Sequence, residues 1–245
     1  MRSAEEFESV QRLIAAGVND CEISRQTGIP RCTVRDWRRD RWIQPRPIAS
    51  SPCGAIHDFA AFPKAAYCYL LGLYLGDGCV SRSRGVWRLR ITLDERYTSI
   101  IDRCRNAIDA MMPRQQAAVV KQPSGCVVVS HYSKPWPCLL PQHGPGRKHL
   151  WPIQLQPWQE ALVKVATEEF VRGLIDSDGC RVVANDRGVR SVRYHFSNRS
   201  DDIRNLFCAA LDELNIPWTR PRWFEVAVYR KAAVARLDEF VGPKA

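Results

Sequence analysis

The sequence predicts an α+β protein in which one unit is used twice, preceded by a small all-α domain. Three observations carry this. The apolar stretch YLLGLYLGDG (69–78) has a counterpart in FVRGLIDSDG (170–179), so that Asp77 and Asp178 lie 101 positions apart. Behind each stretch comes period-two alternation and then a helical pattern, in the same order. Ahead of residue 43 the chain reads as three short helices, the third rich in arginine.

At 245 residues the chain is long enough for one large domain or two unequal ones. It carries 36 Lys+Arg against 26 Asp+Glu, a formal charge of +10. Most of the basic residues are arginine, the side chain that forks onto phosphate and guanine edges, so nucleic acid is favoured over a merely solvated basic surface. Ten cysteines without a CxxC pair, and no signal peptide at MRSAEEFESV, predict reduced thiols in the cytoplasm. Cys138, His143 and His149 fit no standard zinc spacing. The longest apolar run, 65–76, falls short of the roughly 20 residues a membrane span needs, so no membrane partner is expected.

Residues 1–42 are expected to form a helix-turn-helix domain. Ser3 with Glu6 makes a capping-box pattern, Phe7, Val10, Leu13 and Ile14 recur at helical spacing, and Gly17 stops the run. DCEISRQTG gives a second helix and PRCTVRDWRRDR a third, with Pro30 at its first position. Val34 and Trp37 should face inward, leaving Arg31, Arg35, Arg38, Arg39, Arg41 and Arg46 for phosphates; a helical bundle for protein contacts is the alternative. Residues 43–63 hold four prolines and read as a linker, and residues 64–245 hold the repeat, with halves 64–150 and 151–245.

Within the repeat, VWRLRITLDER (86–96) is matched with SVRYHFSNR (191–199), setting Arg90 on Arg193 and Arg96 on Arg199. Leu89, Ile91 and Leu93 alternate with Arg88, Arg90 and Thr92, and Val192, Tyr194 and Phe196 alternate with Arg193, His195 and Ser197. Each strand should bury one face and present a polar, partly basic one. A helix, two further strands and a last helix follow in both halves, after the tripeptides at 132–134 and 229–231. Gly72 and Gly76, like Gly173 and Ser177, are small residues four apart, so the two apolar helices can approach almost backbone to backbone. If they pack in parallel, Asp77 and Asp178 meet at one end, where helix dipoles add negative charge and Mg²⁺ would relieve the repulsion. The bland alternative is that each Asp-Gly simply turns the chain at a helix end.

Residues 70–78 (LLGLYLGDG) and 171–179 (VRGLIDSDG) resemble the nine-residue motif of the LAGLIDADG homing endonucleases, and the likeness of element order spans 64–245. The resemblance implies a monomer with two αββαββα halves related by a pseudo-two-fold axis. Its two antiparallel sheets would form a saddle in the DNA major groove. It implies that the acids before the last glycines, Asp77 and Asp178, hold two or more divalent ions, Mg²⁺ or alternatively Mn²⁺. Lys134 and Lys231 match the family's lysine near the end of the last strand; the alternative is a solvated residue at a helix start. Two departures stand out: Leu75 faces Asp176 at motif position six, and Arg172 replaces a small residue at position two. Neither terminus shows splicing residues, which suggests a free-standing chain. The helix-turn-helix in front resembles that of bacterial transcriptional regulators.

Together these readings lead to a site-specific, metal-dependent double-strand DNA endonuclease. Arg88, Arg90, Arg193 and His195 would face the major groove, and Arg31, Arg35, Arg38 and Arg39 the flanking DNA. A DNA-binding regulator that keeps the scaffold without cleavage is the runner-up. An RNA maturase is a third reading, disfavoured by the DNA-type helices in front.

Overall fold

The computed structural model describes residues 4–39 and 52–244, which divide into two compact units, 1–56 and 57–245. Three helices make the smaller one: α1 (Ala4–Ala15), α2 (Asp20–Thr27) and α3 (Arg31–Arg38). Asn19 caps α2, its side chain accepting from the N–H groups of Cys21 and Glu22. Gly28 ends α2 at φ 69°, the left-handed conformation that a tight turn into α3 needs and that glycine adopts without strain. Pro30 is the residue before α3 rather than its first member. Val10, Ile23, Ile29, Val34 and Trp37 form the core, with Phe7 set edge-on to Trp37 at 5.2 Å. Ser3, Arg41 and Arg46 lie outside the described residues.

The larger unit runs α4 (Lys64–Asp77), β1 (Gly78–Ser83), β2 (Val86–Asp94), α5 (Thr98–Met111), β3 (Ala118–Lys121), β4 (Cys126–Tyr132) and α6 (Trp136–Leu139). Then come α7 (Pro157–Val165), α8 (Thr167–Asp178), β5 (Gly179–Asp186), β6 (Val189–Ser197), α9 (Asp201–Glu213), β7 (Thr219–Arg222), β8 (Glu225–Val228) and α10 (Lys231–Phe240). The strands form two antiparallel sheets of identical connectivity, β1-β2-β4-β3 and β5-β6-β8-β7. This is the duplicated αββαββα order, with α7 inserted between the halves. α7 starts on a capping box made by Gln156 and Gln159. The fully buried Gln159 donates to the Tyr67 hydroxyl at 2.7 Å, tying α7 to α4.

The predicted linker gives up its last residues to this unit. Phe59 stacks on Trp158 of α7 at 3.9 Å and 10°, and Phe62 packs edge-on to the same ring. Aromatic area, not proline content, decides where the unit begins. Residues 43–51 lie outside the described residues.

Pairing also corrects the register of the repeat. Gly78 faces Ile91, whereas Gly179 faces Phe196. The second hairpin is therefore four residues longer (13 positions against 17), and Arg88 corresponds to Arg193 while Arg90 corresponds to His195. Leu89, Ile91, Tyr194 and Phe196 are buried against the helices, and the arginines lie on the opposite faces.

The two halves meet along α4 and α8. On α4 every residue from Tyr67 to Leu75 is buried, because α4 has a neighbour on every side. A methyl group built on Gly72 would lie 2.5 Å from the Phe170 carbonyl oxygen and 2.7 Å from the Leu174 nitrogen. One built on Gly173 would fall on the Tyr69 carbonyl oxygen, and one on Gly76 would overlap Ser177. Partners advance together along both helices, so the pair runs parallel.

At an exposed helical site Gly→Ala stabilises by about 0.5–1 kcal/mol. Here Gly173→Ala should do the opposite, losing ~1–3 kcal/mol or more through backbone overlap, as measured by urea unfolding.

Candidate metal centre

Each motif helix passes straight into a strand. Asp77 and Asp178 are the last helical residues, and the following glycine N–H groups bond back to the Tyr74 and Ile175 carbonyls. Gly78 and Gly179 have φ of −87° and −106°, which any residue can adopt. Glycine is needed there for space: a methyl group would stand 2.5 Å from Tyr74 Cα or 2.8 Å from Ile175 Cα. The Asp-Gly pairs are therefore not helix-ending turns. They are points where a strand leaves a helix too close for a side chain.

Because the helices run parallel in contact, their two acids share one end. A methyl group on Gly76 would lie 3.0 Å from Asp178 Oδ2. The Asp77 side chain keeps an exposed edge, but the protein atoms crowded round it take water from its carboxyl; that, then repulsion from Asp178, pushes it up to about 6, against the pull of Lys244 and Lys148. Burial also raises Asp178, offset by a hydrogen bond from Asn198 Nδ2 to its Oδ2 at 2.6 Å and by the same two lysines. Asn198 thus favours the anion on Asp178. Asn198 is itself gripped by its backbone: the buried Arg204 donates to its carbonyl oxygen.

The departures from the motif resolve differently. Asp176 turns away from the acid pair and accepts from Tyr69 Oη at 2.9 Å and Arg103 Nη2 at 3.1 Å, cross-linking α8 to α4 and α5. Burial raises its carboxyl even so, with Arg103 and Tyr69 opposing. Arg172 bonds to Glu169 and to the Phe240 carbonyl, holding α10 against α8.

Other predicted residues fall as follows. Lys134 and Lys231 are exposed, and neither is among the charged groups acting on Asp77 or Asp178. The strand register sends the chain past those positions before it returns to the helix ends. Arg88 donates to Ser130 Oγ at 3.2 Å and lies 5.3 Å from the Tyr132 ring; its counterpart Arg193 pairs with Asp186 and lies 5.3 Å from the Tyr229 ring. Arg90 is exposed, and His195 is bonded to Glu225 at 2.9 Å. In the smaller unit Arg31, Arg35 and Arg39 are exposed, but Arg38 donates to Asp20 at 2.7 Å and to the Val18 carbonyl at 2.7 Å. That ion pair joins α2 to α3 and takes Arg38 out of the free basic face. Cys138, His143 and His149 do not converge as a ligand group among the described residues.

Lys148 and Lys244 are the cations that the motif reading missed. Lys148 donates to the carbonyls of Gly76 and Gly78 at the end of α4, and Lys244 to those of Asp176 and Ser177 at the end of α8. A signal existed in the chain: Gly144-Pro145-Gly146-Arg147-Lys148 and Gly242-Pro243-Lys244 close the two halves alike. Asn198 had no such signal, since it depends on where β6 ends.

The donor set suits a hard divalent cation. Two carboxylates and the last carbonyls of two helices are all oxygen ligands, the class that Mg²⁺, Mn²⁺ and Ca²⁺ take. Asp77 and Asp178 are the residues that would hold such an ion, and its charge would remove the repulsion that raises Asp77.

No family model matches the chain, and no curated protein matches it. Among solved structures it is similar to I-DmoI in complex with DNA and Mn (16% identity over 73% of this chain and 97% of that one, TM-score 0.46). It is similar also to the LAGLIDADG meganuclease I-AabMI bound to uncleaved DNA (13% identity, 71% and 82%, TM-score 0.44). A third is the N-terminal LAGLIDADG domain of DUF199/WhiA (13% identity, 75% and 88%, TM-score 0.44). At these identities the likeness is one of fold.

A carboxyl raised from 3.8 to about 6 binds its proton more tightly in the folded chain than in the unfolded one. Its contribution is fully present below pH ~4 and is lost as pH rises through about 6. In chelator, Asp77→Asn should therefore be more stable than wild type at pH 7.5, with the two converging near pH 4. Thermal melts across that range test this.

Proposed function

We propose that the chain is a divalent-metal-dependent endonuclease that cuts both strands of duplex DNA at a specific sequence. The observation that carries this is the meeting of Asp77 and Asp178, one from each half, at the shared end of a parallel helix pair. Two equivalent acids, each leading into its own sheet, match the two antiparallel strands of a duplex, which also have a local two-fold relation. A single chain supplies both halves, so a monomer suffices.

The polar sheet faces are the reading surface in this account. An antiparallel ribbon fits the major groove, where arginine recognises guanine and a carboxylate accepts from cytosine N4. Arg88 and Arg193 are held against tyrosine rings and hydroxyl groups, which limits their rotamers and favours positioning over adaptable contact. The exposed Arg90 and the His195–Glu225 pair differ between the halves, so the two half-sites would be read differently. Arg31, Arg35 and Arg39 of the smaller unit would add phosphate contacts on flanking DNA and raise affinity through effective concentration.

At the centre Asp77 and Asp178 bind and orient, Asn198 fixes the Asp178 carboxylate, and the lysines supply positive charge beside the phosphates. A bound divalent ion would supply an activated water and stabilise the departing oxygen. The raised proton affinity of Asp77 means that the ion competes with a proton there, and cleavage should strengthen above pH ~6.

One observation favours the runner-up, a DNA-binding regulator without cleavage: two lysines against two aspartates make a site already neutral without any metal. Incubating a randomised duplex library with the protein in Mg²⁺ or Mn²⁺ separates the readings. The endonuclease reading expects double-strand breaks at one sequence, reduced on the order of 10³-fold by Asp77→Asn or Asp178→Asn with duplex binding retained. Sequence-specific binding without cleavage in either ion would establish the regulator instead.

A further inference from the structure

Lys148 and Lys244 stand in equivalent places. Each follows a Gly-Pro turn at the close of its half, and each spans two carbonyl oxygens at the end of a motif helix. Lys148 lies 4.8 Å from the Tyr74 ring centroid and Lys244 lies 5.8 Å from that of Tyr97, so each ammonium has an aromatic face as well. The carbonyls of Gly76, Asp176 and Ser177 belong to the last turns of their helices, where acceptors are left without helical partners and carry the negative pole of the dipole; that of Gly78 is the first of β1. Each lysine also acts on both Asp77 and Asp178, not on the acid of its own half alone. Two ammonium groups therefore sit among the same oxygens that a hard divalent cation would use.

We propose that Lys148 and Lys244 are paired internal counter-ions that close the carboxylate site in the metal-free protein and must leave it for a divalent cation to bind. The proposal rests on the reading of Asp77 and Asp178 as metal ligands. Its physical ground is simple. An ion of charge +2 placed within a few ångströms of two half-buried ammonium groups meets repulsion at a range shorter than the Debye length, where salt screens it only in part. Displacing the ammonium groups leaves them in need of an anion. In the DNA complex the backbone phosphates provide one, so duplex and metal should each strengthen the binding of the other. The free protein would bind metal weakly and the complex strongly, keeping the centre unloaded away from its target.

The test measures Mn²⁺ binding to DNA-free protein by calorimetry and by the loss of free-ion electron spin resonance signal. Wild type is compared with Lys148→Met, Lys244→Met, the double substitution, Lys148→Arg and Asp77→Asn. Each methionine substitution should tighten Mn²⁺ binding at least about tenfold. Lys148→Arg, which keeps the charge, should stay near wild type, and Asp77→Asn should abolish the site. Binding that Asp77→Asn removes but the methionine substitutions leave unchanged would overturn the proposal while leaving the metal reading intact. Absence of any binding sensitive to Asp77→Asn, in every variant, would remove the metal reading and the proposal with it. A wild-type measurement guards against variants that do not fold: amine acylation mapped by peptide mass. Lys148 and Lys244 should react several-fold faster with Mn²⁺ present; no change in their reactivity would contradict the displacement.

Discussion

Contact between the backbones of α4 and α8 sets everything else in the larger unit. Gly72 and Gly173 interlock so closely that neither tolerates a methyl group, and Gly76 against Ser177 continues the contact to the helix ends. Helices that touch this closely cannot slide or rotate without collision, so their last residues have fixed partners. The sheets follow from the same contact. Each begins at the glycine directly after its helix, so the separation of the two polar faces is tied to the separation of the helices.

This contact produces an electrostatic problem as well as a scaffold. It brings two carboxylates and the negative poles of two helices to one point. The chain answers it in three ways: Asn198 supports one anion, Asp77 gains proton affinity, and Lys148 and Lys244 lie over the helix-end carbonyls. All three are substitutes for a cation. Asp176 is instead paired with Arg103 and accepts a hydrogen bond from the Tyr69 hydroxyl, which explains how a third acid can lie here without joining the centre. Whether an acid is structural or available depends here on its face of the helix, not on its distance along the chain.

Much of this was legible in the sequence. The small residues at 72, 76, 173 and 177 announce close helix contact, and Asp-Gly at both ends places the acids together once the helices are parallel. The alternation at 89–93 and 192–196 identifies the buried strand faces correctly. What sequence comparison misjudged was register: the longer second hairpin shifts the strands by two pairs, and a period-two pattern looks the same after such a shift. The lysines that act on the acids lie further along the chain than the strand comparison pointed. Lys134 and Lys231 follow matching strands, but the chain must still travel through another helix and a Gly-Pro turn before it comes back to the acids. Helix α7 and the Phe59–Trp158 stack were hidden because proline-rich composition gave no hint of the aromatic partner waiting for it.

The central claim is that Asp77 and Asp178 jointly hold a divalent cation at the end of the helix pair. Anomalous diffraction from crystals of the protein with duplex DNA and Mn²⁺ tests it most directly. The account predicts an anomalous peak at roughly metal–oxygen bonding distance, about 2.0–2.2 Å, from a carboxylate oxygen of Asp77 or Asp178, with Lys148 and Lys244 withdrawn from the helix-end carbonyls. Manganese bound elsewhere, with both lysines still seated on those carbonyls in the DNA complex, would contradict it.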